Sequence, residues 1–155
     1  MAQLSASALQ IVPVGQSAVF TNTFITPQEF GIILPRPDNN GLYLRGALGR
    51  NMPKCWRDFF AEFYACFSAN VQIPEGGTVE EISLAISQDG QPLPSGIMIV
   101  NPAAVEEFEN VSVQVFVPVP RGGIETITVD NTSTQDIGLQ NANLTVFMPG
   151  MQIAR

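Results

Sequence analysis

Phe60-Ala61-Glu62-Phe63-Tyr64-Ala65-Cys66-Phe67-Ser68-Ala69-Asn70-Val71-Gln72-Ile73 is the stretch that decides the fold. Taken every second residue, it divides cleanly. Phe63, Ala65, Phe67, Ala69, Val71 and Ile73 fall on one side, and Glu62, Tyr64, Cys66, Ser68, Asn70 and Gln72 on the other. Successive side chains of an extended strand point to opposite faces, so this pattern predicts a long strand with one face in a core. A helix over 56–65, within the aromatic-dense run from Cys55 to Phe67, is the weaker alternative, because the alternation outlasts it. Pro74-Glu75-Gly76-Gly77 ends the pattern as a turn.

The same signals recur outward from there. Gln16 to Ile25 alternates and reads as a strand, and Gly31–Leu34 and Leu42–Leu44 read as two short ones around the turn-rich Pro35–Gly41. Val79–Gln88, with Ile82, Leu84 and Ile86 inward, turns at Asp89-Gly90-Gln91-Pro92 into Gly96–Val100. Residues 102–108 are a short connection. Val111–Val119, Ile124–Asn131 and Gln140–Met148 complete about nine or ten short strands separated by turns. The expected fold is all-β, a single jelly-roll β-sandwich over residues 15–155. Residues 1–14 carry no charge and end in Val12-Pro13-Val14. They read as a short N-terminal arm that need not pack on its own domain.

Composition narrows the chemistry. Of 155 residues, 45% are hydrophobic and 14% charged, against about 25% charged in ordinary soluble domains. The 13 glycines and 12 prolines fit a turn-rich β-protein. There is no histidine, which removes Ser-His-Asp and Cys-His catalysis and His-ligated zinc. Glu80-Glu81 and Glu106-Glu107 are neighbours and would point to opposite strand faces, so neither makes an acid–base pair. Asp38, Asp89, Asp130 and Asp136 offer oxygen ligands for calcium, but read more simply as turn formers. Cys55 lies beside Lys54 and Arg57, yet no base is at hand to activate it. The expectation is a protein that is not an enzyme and needs no cofactor.

The net charge of −7 leaves no electrostatic footprint for nucleic acid. Its distribution is uneven: Arg36, Arg45, Arg50, Lys54 and Arg57 cluster, whereas the charges from Glu75 to Asp136 are all acidic but for Arg121. Solvated loops are the plain reading, and contacts between neighbouring copies the sharper one. Cys55 and Cys66 are expected to be free thiols. No run approaches 18 apolar residues and the N-terminus lacks a basic, apolar leader, so no membrane partner is expected.

Three aromatics break their strands' alternation on the side that should face solvent: Tyr64, Phe116 and Phe147. One such residue is ordinary, but three on three strands predict a contiguous patch, and patches mark interfaces. The alternative is that strand faces are misassigned near bulges.

Several runs carry a resemblance. They are Ala69 to Val79, Ile82 to Ile86, Met98 to Glu107, Val119 to Gly122, Asn131-Thr132-Ser133 and Gln140 to Leu144. Over roughly residues 15–148 the chain resembles small proteins of bacteriophages and prophages of gut Firmicutes. These in turn are similar to the trimeric jelly rolls of the tumour-necrosis-factor and complement-globular-head type. The chain differs from stalked relatives in carrying no collagen-like or coiled-coil stretch.

The resemblance implies a non-enzymatic virion structural protein. It would be a homotrimeric capsid decoration or head-fibre protein on the capsid exterior, made in the bacterial host cytoplasm, with the major capsid protein as partner. The alternatives are a receptor-binding head of a tail or fibre that takes host surface glycans, and a bacterial surface adhesin domain. On this reading Tyr64, Phe116 and Phe147 form the trimer interface. Leu4, Leu9, Ile11 and Val12 of the arm anchor the protein to the capsid, with Arg36, Arg45, Arg50, Lys54 and Arg57 as the alternative capsid contact.

Overall fold

The computed structural model describes residues 1–27, 31–46 and 60–149. These form eleven strands and no α-helix: β1 Ala2–Ala6, β2 Gln10–Val12, β3 Asn22–Ile25, β4 Ile33–Pro35, β5 Gly41–Arg45, β6 Ala61–Gln72, β7 Ile82–Gln88, β8 Gln91–Val100, β9 Glu109–Val119, β10 Ile124–Asn131 and β11 Ile137–Phe147. Two antiparallel sheets result. The first has the order β3-β1-β11-β6-β9, with β2 continuing beside β11, and the second has the order β4-β5-β10-β7-β8. The chain is the expected all-β jelly-roll sandwich.

The decisive stretch behaves as its alternation requires. Phe63, Ala65, Phe67, Ala69, Val71 and Ile73 are all buried between the sheets. Opposite them lie Ile82, Leu84, Ile86, Ile127 and Val129 of the second sheet. β7 and β8 are joined through Asp89 and Gly90, both at positive φ (49° and 79°). Two left-handed central residues match the right-handed twist of the flanking strands, which is why a two-residue hairpin forms here. Gly41 has a different constraint: a Cβ there would collide with the carbonyl of Ile127 on the neighbouring strand.

The N-terminal segment corrects the sequence reading. Residues 1–14 are not a free arm. β1 lies inside the first sheet, paired on one side with β11 and on the other with β3. Ala2, Leu4 and Ala6 are buried in the core. Their alternation with Gln3 and Ser5 is genuine, but two of the three inward residues are alanines, so the hydrophobic signal is faint. The turn after β2 is also fastened. Asn131, 1% exposed, donates to the carbonyls of Val12 and Gln135 (2.9 Å each) and accepts from the Ser133 amide (2.9 Å). A buried amide with its bonds made avoids a desolvation cost that it would otherwise impose.

A second correction concerns Gln16–Ile25, expected as one strand. Only Asn22–Ile25 is a strand. The preceding residues cross between the sheets: Ala18 bonds to Val129, Phe20 to Asn39, and Thr21 to Ser5 of the first sheet. Ala18 and Phe20 are buried because the crossing passes over the open side of the sandwich, so burial alternates without a ladder.

Candidate assembly interface

Register places three rings together. On the outer face of the first sheet Tyr64 of β6 lies opposite Phe116 of β9 and Phe147 of β11. The Tyr64 and Phe116 rings meet edge to face, with centroids 5.5 Å apart at 71°. Tyr64 stacks on Phe147 at 5.7 Å and 21°. Both are favourable arrangements for ring quadrupoles. The rings satisfy one another only sideways, and Phe116 remains 41% exposed. The patch expected from the sequence therefore exists, and its three members are in contact.

Below the rings the face becomes polar in successive rows. The first row is Thr145, Cys66 and Gln114, the next Asn143, Ser68 and Ser112, and beyond a bulge come Gln140, Asn70 and Asn110. Gln3 donates to Asn143 (3.2 Å) and Asn110 to Asn70 (3.2 Å). Among the described side chains of this face Glu62 carries the only charge, at the aromatic end, and the Met1 ammonium is bonded to Thr26 at the β1–β3 edge. Aromatic enrichment with charge depletion is the composition of an interface core. An open groove of about 410 Å³ runs along the first two polar rows, floored by Phe67 and Val113. Burial pushes the Cys66 thiol up from its ordinary value. Cys55 lies outside the described residues.

The proposed anchors separate. Leu4 and Val12 are core residues and cannot reach a partner, because each is sealed between the sheets. Leu9 and Ile11 are exposed, at the far end of the first sheet, with Ile11 opposite Gly138. The basic set is not assembled within the described residues. Arg36 bonds Asp38 (3.1 Å) and covers the Tyr43 ring (5.8 Å) at one end of β5, whereas Arg45 is exposed at the other end. Arg50, Lys54 and Arg57 lie outside the described residues.

The four aspartates weighed as calcium ligands each make local bonds: Asp38 to Arg36, Asp130 to Ser17, Asp136 to the Val14 amide and Asp89 to Thr126. One pair escaped the sequence reading. Asp89, at the β7–β8 turn, meets Glu125 of β10, and a hydrogen bond from the Glu125 carboxyl, with burial adding, pushes Glu125 up to about 7. The same bond and the Thr126 amide hold Asp89 below its usual range. No spacing signal links residues that only sheet pairing brings together. The pair sits at the β7–β8 turn, with Asp89 exposed and Glu125 half-buried.

Two solved structures share the architecture. An Eiger tumour-necrosis factor from S. frugiperda aligns with a TM-score of 0.61 at 6% identity, covering 99% of this chain and 95% of that one. The globular domain of a zebrafish complement 1qA protein aligns with a TM-score of 0.54 at 7% identity, covering 96% and 95%. This chain therefore shares the jelly-roll fold of these two domains. At these identities the likeness establishes the fold and nothing finer. No protein-family model matches the sequence, and no curated protein does.

Proposed function

We propose that this chain is a non-enzymatic structural head that assembles as a homotrimer through the outer face of its first sheet. One observation carries the reading: Tyr64, Phe116 and Phe147 stand together, partly exposed, on a broad face whose described side chains hold a single charge. Burying the rings between copies removes apolar area from water, and Glu62, exposed beside them, is the one charged side chain that must stay at the rim. A threefold ring uses one patch per copy and closes on itself, as in the trimeric jelly rolls that the sequence resembles.

Within this reading the protein decorates the outside of a phage capsid and contacts the major capsid protein. The resemblance of the runs from Ala69 to Leu144 supports that location. Of the first fourteen residues, Leu9 and Ile11 are the apolar side chains of the original anchor set still free to touch a shell. Binding only the assembled shell would stabilise the particle by linkage.

The test uses purified protein and emptied phage shells. Wild type should bind to a ceiling fixed by the shell's symmetry, and Ile11→Glu should bind more weakly while remaining a trimer. Equal binding by Ile11→Glu would move the anchor elsewhere, and no saturable binding by wild type would overturn the capsid assignment.

A further inference from the structure

The groove beside the rings invites a second reading of the same face. Cys66, Ser68 and Ser112 in the rows below carry shorter side chains than Tyr64, Phe116 and Phe147, and the groove lies over them. A second copy that rests on the rings would span that groove. The space left between is lined by hydroxyls, amides and one thiol: Ser68, Ser112, Gln114, Asn143, Thr145 and Cys66. A gap with such walls does not stay empty, because its polar groups need partners. At about 410 Å³ in one copy it falls in the range of small-molecule sites.

We propose that assembly roofs this groove into a polar chamber that admits small uncharged, hydrogen-bonding solutes and excludes ions. The inference rests on the assembly reading above. The selectivity follows from the lining. An uncharged solute can exchange its water hydrogen bonds for those of Gln114, Asn143 and the serine hydroxyls. An ion of either sign entering the chamber loses hydration and meets no opposite charge, which costs far more. Glu62 lies beyond the ring row and does not line the groove.

Cys66 reports on the chamber from inside. The probes are methyl methanethiosulfonate and its sulfonatoethyl and trimethylammonioethyl analogues, which share one chemistry and differ in charge. Trypsin separates the two thiols, because no Lys or Arg lies between Arg57 and Arg121 and Cys55 falls before that stretch. Modification of Cys66 can therefore be read by mass in the unaltered full chain. The raised thiol pKa slows all three reagents alike, so the ratio of rates is the readout.

In the assembled protein the neutral reagent should outpace both charged ones by at least about tenfold more than it does at the same thiol in urea. Ser112→Leu, which fills the groove with a side chain, should suppress modification and leave the assembled mass unchanged. An assembled protein whose Cys66 is inert to the neutral reagent, or whose rate ratio matches that in urea, overturns the chamber alone. A Ser112→Leu protein modified as fast as wild type does the same. A monomer in solution overturns both the chamber and the assembly reading.

Discussion

The two outer faces of this sandwich are finished differently. On the second sheet the large ring, Tyr43, is covered by Arg36, and the carboxylate, Asp130, is bonded by Ser17 at 2.6 Å. Ser87 and Thr128 at its centre are small and already buried. On the first sheet the three rings lean on each other, and among the described residues no charged side chain covers them as Arg36 covers Tyr43. The second face is not wholly polar, since Ile97 and Ile99 of its edge strand and Ile124 of β10 are exposed. Those are separate aliphatic side chains, whereas Tyr64, Phe116 and Phe147 are rings in contact on three adjacent strands. The proposed assembly turns on this contrast: the second face would stay in solvent and the first would meet a partner.

The largest effects lie beneath both faces and serve as the baseline for comparing them. Phe67→Ala should cost about 3–5 kcal/mol and Leu4→Ala about 2–5 kcal/mol of folding stability, read by denaturant unfolding. A Leu4→Ala protein as stable as wild type would restore the free-arm reading and detach β1 from the first face. Next is the buried amide that fastens the N-terminal turn. Asn131→Ala should cost about 1–3 kcal/mol, because the carbonyls it serves lose a donor where water is excluded.

Smaller still is the cap on the second face. Arg36→Ala should lose about 0.5–1 kcal/mol from the cation–π contact and leave assembly untouched. If that change altered the oligomeric mass, the second face would be an interface too and the contrast would fail.

The smallest effect is a pH dependence at the exposed turn. Glu125 holds its proton more tightly folded, up to about 7, than at its ordinary 4.5. Its contribution to stability is therefore full below about 4.5 and is lost as pH rises through about 7. Asp89 runs the other way: its contribution is present above its ordinary 3.8 and fades as pH falls below that. Melting temperature should decline gently between pH 4.5 and 7. Glu125→Gln should flatten that decline, and a steeper decline in the variant would contradict the assignment.

How much of this was legible in the sequence follows from how each residue signals. β6 was plain, because phenylalanines mark its inner face. The aromatic patch was plain for the same reason, since a ring on the wrong side of a strand stands out. β1 was hidden, because alanine fills a tight site between strands without announcing a core. Gln16–Phe20 misled in the opposite direction, since a chain crossing between sheets also buries every second residue. The Asp89–Glu125 contact had no local signal, being made by a turn and a strand that meet only through sheet pairing.

The central claim is that the uncapped face is where copies meet, and the mass of the full chain in solution tests it most directly. Sedimentation equilibrium at micromolar concentration should give three times 16.7 kDa for wild type and for Ile99→Glu on the second face. Phe116→Glu should give a folded monomer, because charging an exposed ring of the patch removes about 2 kcal/mol or more from each interface. A wild-type monomer, or a trimer that Phe116→Glu leaves intact while Ile99→Glu dissolves it, would contradict the account.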